Sequence, residues 1–521
     1  MGVEADPPAA FFGDLSRAGG VHLDQGVYGR SICRDACGVF GVVPRGGGRM
    51  TFASFKNARI VRSGWLEEGG RRLDCNPYMS GAQEARDALR LLNARKDALQ
   101  TLTAGYAGGI YNGPMFKRNY VESPEYGVPF ISSGTILLAD LSTLPLLRKK
   151  DAESSRLSYL RLRSGMTMIS CSGTIGRMTY VRPDMDGIWS SQDVLKVVPD
   201  PERIPPGYLH AFLSSRYGVP LVVSGTYGAI IQHIEPVHIA DLPVPRFDTP
   251  TEHAIATKVD AAALARAEAV ELLREAASRL HKRLGLKRPT PIASLPKPDV
   301  ATVSSEAFKD RGDAYYYSAR NAESRGALDD VAVNRPLGEV AEVFIPGIFK
   351  RLYASDPQFG SPYITGGDVF ELAPTSDKHL MKRVAAEYRL LLKKGMIVVQ
   401  EAGQLGGLIG RSVMVGSYLD GFSCSNNMIR IVPEDDIDGG YLFSLLTSEH
   451  GVRLLSREAA GSSIPHTDEQ RVKRIHVPWP SRADREEIGA PAIRARELRD
   501  QACIWEREAR DILEARILGG E

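Results

Sequence analysis

At 521 residues the chain is too long for one ordinary hydrophobic core, and its length predicts about two to four domains. Hydrophobic residues at 43% and charged residues at 25% are ordinary for a soluble globular protein, and no apolar run of membrane-spanning length lacks charges or turn residues. The formal charge of +2 neither demands nor excludes nucleic acid, because a DNA-binding protein needs local basic stripes rather than a high total.

Residues 1–59 carry Gly19-Gly20, Gly26 and Gly46–Gly48 with few large apolar side chains, and are expected to form a poorly ordered N-terminal extension. Glu4 and Asp6 ahead of a weak apolar patch are the wrong order for a secretion signal, so a cytoplasmic location is expected. Six scattered cysteines (Cys33, Cys37, Cys75, Cys171, Cys424 and Cys503) suit free thiols in a reducing compartment. Cys33 and Cys37 with His22 make half a metal-binding set. No second pair follows at ligand spacing, so incidental thiols are the expectation and no metal is assigned.

From Arg72 onward the chain contains itself twice. The period of roughly 235 residues means a duplicated domain rather than a solenoid. Arg72-Leu-Asp74 matches Arg311-Gly-Asp313, and Phe116-Lys117-Arg118-x-Tyr120 recurs as Phe349-Lys350-Arg351-x-Tyr353. Gly127-Val-Pro129-Phe-Ile131 recurs as Gly360-Ser-Pro362-Tyr-Ile364, and Ile175-Gly176-Arg177 as Ile409-Gly410-Arg411. Ser191-Gln192-Asp193 aligns with Ser425-Asn426-Asn427, and Tyr208-Leu209 with Tyr441-Leu442. Gly218, Gly228 and His233 align with Gly451, Gly461 and His466, so the order is kept throughout.

Within one copy, Ser80–Thr101 reads as a helix with Leu89, Leu92 and Leu99 on one face. Short β-prone runs follow at Pro129–Ser132, Met166–Ser170 and Val194–Val198. Tyr208–Tyr217 reads as a second helix, capped at its C-terminal end by Gly218. Each copy is therefore expected to be a mixed α/β domain with a β-rich middle.

After Leu242-Pro-Val-Pro245 comes Thr251–Leu284, free of glycine and proline. Ile255, Val259, Ala262, Ala269, Leu273, Ala276 and Leu280 recur there in alternating steps of four and three, the heptad seam of a coiled coil. Arg266 interrupts the seam; it either fixes the register or snorkels out. After Val477-Pro-Trp-Pro480 the pattern returns with Ile488, Pro491, Ala495, Leu498, Ala502, Trp505, Ala509 and Ile512, with Pro491 read as first-turn. Two rods of about 45–50 Å are expected to pair antiparallel with a domain at either end, the alternative being that each packs on its own domain. The fold class is thus α+β, with two duplicated mixed α/β domains separated by a long antiparallel two-helix coiled coil. The boundaries are 1–59 for the extension, 60–250 and 306–483 for the domains, 251–285 and 484–521 for the helices, and 286–305 for a linker.

This order of domain, long helix, domain, long helix resembles the specificity (S) subunit of type I restriction–modification systems, over Arg72–Ile517. The most specific elements are the duplicated Gly127–Ile131 segment, Ser172–Gly176, and the Pro-x-Pro that precedes each long helix. Gly403–Gly410 departs from the first copy by extra residues, and Thr251-Glu252-His253 and Arg485-Glu486-Glu487 stand where the family often has a Glu-Gln pair. The resemblance implies a non-catalytic subunit whose two target-recognition domains each read half of a bipartite site on double-stranded DNA. It implies that the coiled coil sets the unread spacer and docks two adenine methyltransferase subunits, with cleavage by a separate restriction/translocase subunit. S-adenosylmethionine, Mg and ATP then belong to those partners, and this chain carries no cofactor.

On that reading, Lys117-Arg118 and Lys350-Arg351 are phosphate clamps or else solvated basic turns. Arg177 and Arg411 follow a glycine at a strand end, as contacts or as core-edge salt bridges. Gln192, Asn426 and Asn427 suit adenine edges or mark strand-entry turns, and His233 and His466 read as structural. The strongest candidates lie where the copies diverge, in Arg148–Leu162 and Thr375–Leu392. The first holds Arg148, Lys149, Lys150, Arg156 and Arg161; the second holds Lys378, Lys382 and Arg383.

Resident enzyme motifs are missing from the sequence. Asn76-Pro77-Tyr78 is one proline short of a methyltransferase loop, Gly46–Gly48 has no helix pattern behind it, and no phosphate-binding P-loop occurs. No catalytic residue is expected. The competing readings are a DNA-modifying enzyme with unrecognised motifs, or a reader or scaffold of another phage-defence complex.

Overall fold

The computed structural model describes residues 32–34, 40–42, 61–68, 76–225, 233–291, 294–295 and 298–519. His22, Cys37 and Cys75, the glycines at 19, 20, 26 and 46–48, the repeat start at 72–74, and Gly228 fall outside the described residues. The chain divides into two units, 1–79 and 80–521. In the first, Ile32–Arg34 pairs antiparallel with Phe40–Val42, and Ser63–Glu68 and Asn76–Met79 are helical.

The second unit opens with the helix Ala82–Leu91, which buries Ala85 and Leu89. The helix expected to reach Thr101 stops at Leu91, and Arg95–Ala98 is a strand instead. Its partner is the Pro-x-Pro segment Pro243–Arg246, antiparallel from Ala98↔Pro243 to Arg95↔Arg246. Tertiary pairing here overrides the local helical propensity. An ion pair from Arg246 to Asp97 at 3.0 Å ties the ends, and Arg246 also binds Glu252 at the head of the next helix at 2.8 Å. The second half repeats this arrangement: helix Ala319–Asp329 is followed by Asn334–Pro336, paired with His476–Pro478.

Between these ties each half holds two further sheets. Ile110–Tyr111, Val194–Val197, Thr167–Ser170 and Met178–Tyr180 lie in that order in one antiparallel sheet. Ala341–Phe344, Met428–Pro433, Ile397–Gln400 and Ser412–Met414 lie in the corresponding order in the second half. The other sheet of the first half orders Trp189–Ser190, Gly127–Ile131, Leu146–Arg148 and Tyr120–Val121. Its counterpart orders Ser423–Cys424, Gly360–Ile364 and His379–Met381, with Tyr353 bridging Leu380 where a fourth strand would stand. Tyr208 and Tyr441 donate to the Pro245 and Pro478 carbonyls, both at 2.5 Å.

Gly218 begins the helix Gly218–Ser224 rather than capping the preceding one, Pro206–Leu213. A Cβ there would sit 2.1 Å from the Phe212 carbonyl oxygen, and one at Gly451 would sit 2.0 Å from that of Leu445. Both positions are glycine because two helices meet backbone to backbone. Among the described residues no helix is long and apolar enough to cross a membrane.

The two long helices, Thr249–Leu284 and Arg482–Ile517, have 36 residues each, about 54 Å of rod. They run antiparallel: Lys258 meets Glu508, Arg266 meets Glu506, and Arg279 meets the Glu487 carbonyl. Ala262, Ala265, Ala269, Ala495, Leu498 and Ala502 form the central contact, where alanines permit close approach. Toward the ends the helices share larger cores with the sheets. Ile255, Val259, Ala509 and Ile512 pack with the first half, and Leu273, Ala276, Leu280 and Ile488 with the second. Mutual pairing and packing on the domains therefore both occur, at different levels of one rod.

One of the two alternatives for Arg266 falls away, and Pro491 differs from expectation. Arg266 does not snorkel; its side chain is 7% exposed and faces Glu506. Pro491 lies well inside the helix, not in its first turn. Proline lacks the N–H that would bond the carbonyl four residues back, and Arg279 of the other helix supplies that donor to Glu487 at 2.9 Å.

Candidate nucleic-acid interface

The strand Gly127–Ile131 and its partners carry most of the basic candidates of the first half. Leu146–Arg148 pairs with it and leads directly into the one-turn helix Lys149–Ala152, so Lys149 and Lys150 project where the strand ends. Arg156 donates to the Met115 carbonyl at 2.9 Å, and the Arg148 amide donates to that of Asn119 at 2.8 Å. These bonds lay the 115–119 segment, with Lys117 and Arg118, beside the 148–156 segment. Arg118 pairs with Asp193 at 2.9 Å, which brings in the turn holding Gln192. Arg161 lies over the Trp189 ring.

The second half builds the same face. His379–Met381 pairs with Gly360–Ile364 and leads into the helix Lys382–Glu387, so Lys382 and Arg383 occupy the places of Lys149 and Lys150. The aromatic packing beneath is shared in detail. Phe116 meets Phe130 edge-on at 6.0 Å, and Phe349 meets Tyr363 at 6.2 Å. Tyr120 and Phe130 cross at 61°, Tyr353 and Tyr363 at 62°. Arg118 stacks over Phe130 and Arg351 over Tyr363, at 5.7 and 6.0 Å. Lys378 sits over Tyr353.

Not every cation on these faces is equally available. Arg148 is held by Asp151 through two bonds of 2.9 and 2.7 Å, and this contact keeps the Asp151 carboxyl below its ordinary value. Lys117, Lys150, Lys350, Lys382 and Arg383 are exposed and form no ion pair among the described residues. They are the side chains best placed to meet a polyanion.

A fully buried cation underlies each strand-entry turn. Lys196 donates to the Ser191 and Val194 carbonyls at 3.3 and 2.9 Å. Arg430 donates to those of Cys424 and Ser425, both at 3.0 Å. Neither faces a carboxylate at ion-pair distance among the described residues, and burial pulls Lys196 down to about 7. These cations shape the turns that carry Gln192 and Asn426-Asn427. The Gln192 side-chain oxygen is enclosed without a hydrogen-bond partner, Asn426 is half-buried, and Asn427 is exposed.

Arg177 and Arg411 stand just before the strands Met178–Tyr180 and Ser412–Met414, in the other sheet of each half. Arg177 is 3.5 Å from Glu371 of the other half, and Arg411 is largely enclosed, with Asp140 of the other half as its carboxylate neighbour. Arg177 thus forms an ion pair, whereas Arg411 forms none among the described residues. His233 and His466 bridge Ser172 and Ala402 in backbone pairing, and His466 contacts Glu401 at 2.9 Å. Cys171, Cys424 and Cys503 are buried and free.

Sequence reasoning missed where the faces differ. In the first half Tyr106 stacks on Tyr159 at 4.0 Å, with Tyr111 edge-on to both. In the second half Phe344 stands in register with the buried Arg430, as Tyr111 does with Lys196. Arg389 covers Phe344 at 3.7 Å and pairs with Glu342 at 2.7 Å. The glycines around Tyr106 were the available signal; nothing linked it to Tyr159.

Three solved structures are similar to the chain, each over 82% of its length. One is the S subunit of a type I restriction-modification system from M. genitalium, at 14% identity, 96% of that chain and a TM-score of 0.34. Another is the HsdS subunit from Thermoanaerobacter tengcongensis, at 14% identity, 97% of that chain and a TM-score of 0.25. A third, from work on complex assembly and conformational transition of the type I R-M system, is at 13% identity, 98% of that chain and a TM-score of 0.23. At these TM-scores the superpositions transfer no residue roles. No protein-family model and no curated protein matches the chain.

Proposed function

We propose that the chain is the DNA-reading specificity subunit of a type I restriction–modification complex. The observation that carries this reading is the recurrence, within one chain, of a basic face over the same aromatic packing, in halves that pack on opposite ends of one helix pair. Segments 60–250 and 306–483 serve as target-recognition domains, joined by the antiparallel coiled coil of 251–285 and 484–521 across the 286–305 linker.

Exposed cations shared by both copies suit phosphates, which look alike at either half-site. Elements that differ, the Tyr106–Tyr159 stack against the Arg389–Phe344 pair, suit base reading, at about 1–3 kcal/mol per good bidentate contact. A true dimer reads a palindrome, whereas two fused and diverged halves read an asymmetric bipartite site. In this role the chain transfers no methyl group and holds no cofactor; it works in the cytoplasm with two adenine methyltransferase subunits and a restriction/translocase subunit. The test is selection of random-sequence duplexes by the purified chain, alongside incubation with labelled S-adenosylmethionine. Two unlike half-sites at a fixed spacing and no methyl transfer are expected. Sequence-independent binding, or methylation by the lone chain, would contradict the reading.

A further inference from the structure

Besides sharing the helix pair, the two halves touch each other directly. Leu138 bridges Glu371 in antiparallel fashion: the Ala139 amide donates to Phe370 at 2.9 Å, and the Leu372 amide donates to Leu137 at 2.7 Å. Residues 137–139 and 370–372 are equivalents, each following the matched strand that ends at Ile131 or Ile364. The same segment of each copy therefore meets itself, as in an isologous interface around a twofold axis. An ion pair crosses the junction as well, with Arg177 3.5 Å from Glu371 of the other half. The junction is tied to the rod, because Cys503 of the second long helix donates to the Leu372 carbonyl at 3.3 Å.

Each half is thus attached twice, at one end of the helix pair and at this central junction. A rod alone leaves bending and twisting between the halves. A closed triangle of half, half and rod does not. We infer that the junction fixes the separation and rotation of the two reading faces, with Arg177 and Glu371 as positioning residues for the spacer between half-sites. This rests on the DNA-reading function proposed above, and it departs from the expectation that the helices alone act as a ruler.

The test uses the full chain with a donor–acceptor dye pair on genetically encoded side chains at Ser155 and Glu387, both exposed. Glu371→Arg places like charges across the junction, and the Arg177→Glu/Glu371→Arg double variant restores opposite charges. Each is also used to select random duplexes. The wild type should give one narrow interdye distance and one spacer length. The single variant should broaden both, and the charge swap should narrow both again, which loss of a DNA contact at Arg177 would not allow. An unchanged distance in a folded single variant overturns the inference, as does a broadened distance with an unchanged spacer. A wild type that selects no bipartite site overturns the functional reading and the spacer assignment with it, while the distances still report whether the junction holds.

Discussion

Arg266 of the first long helix and Glu506 of the second form a two-point ion pair in the middle of the seam, closed off from solvent. Burial alone would raise the Glu506 carboxyl, but the guanidinium outweighs it and holds the group down to about 2. Its folded value lies below the unfolded one, so the pair stabilises the chain above the ordinary glutamate range. That stabilisation is lost as pH falls from about 4.5 toward 2. Arg266→Met alone should cost about 3–5 kcal/mol by stranding a buried carboxylate, whereas Arg266→Met with Glu506→Leu should be neutral or stabilising by about 1–4 kcal/mol. Denaturation followed by helical circular dichroism, at pH 7 and across the acid range, measures both. Equal losses in the single and double variants would contradict the account.

Pro491 gives a second coupling. Arg279→Ala removes the donor to the Glu487 carbonyl and should cost about 1 kcal/mol. Pro491→Ala restores an N–H inside the helix, so it should recover stability in the Arg279→Ala background and gain less in the wild type. A double-mutant cycle reads the difference, and additivity would mean that the cross-helix donor does not compensate the proline.

Lys196 predicts an unusual pH dependence. Burial holds it at about 7, below its unfolded value, so the unfolded chain binds more protons between about pH 7 and 10.5 and stability should rise with pH there. Cys171, raised to about 11 mainly by burial, acts in the opposite sense above pH 9, which leaves pH 7–9 as the clean window. Lys196→Arg copies the arrangement at Arg430 and cannot deprotonate, so the slope should vanish. The slope is at most about 1.4 kcal/mol per pH unit. Identical slopes in the two proteins would contradict the assignment.

The basic faces make a prediction about salt. If Lys382 and Arg383 meet phosphates, replacing both with alanine should weaken binding to all sequences alike. The slope of log affinity against log salt should fall by about two. An unchanged slope would place these side chains off the DNA.

Legibility in the sequence followed physical cause. Phe116, Gly127, Tyr208 and their equivalents stood out because the same packing needs the same residue types twice. The seam was readable because the 3/4 spacing states which face of a helix is buried. Arg95–Ala98 was not, since its strand exists only through pairing with Pro243–Arg246. Nor was the junction at Leu138 and Glu371, which is made by backbone atoms that leave no mark on residue type. Arg177 and Arg411 carried the right chemistry, but their carboxylate neighbours come from the other half of the chain.

The central claim, that the two halves read different sequences independently, is tested most directly by moving one divergent segment. Arg148–Leu162 is replaced by the chain's own Met381–Leu392, which starts at the matching end of the strand, and the purified protein selects random duplexes beside the wild type. The account predicts that the first half-site changes while the second half-site and the spacer stay as they were. A change in both half-sites, or in neither, would contradict it.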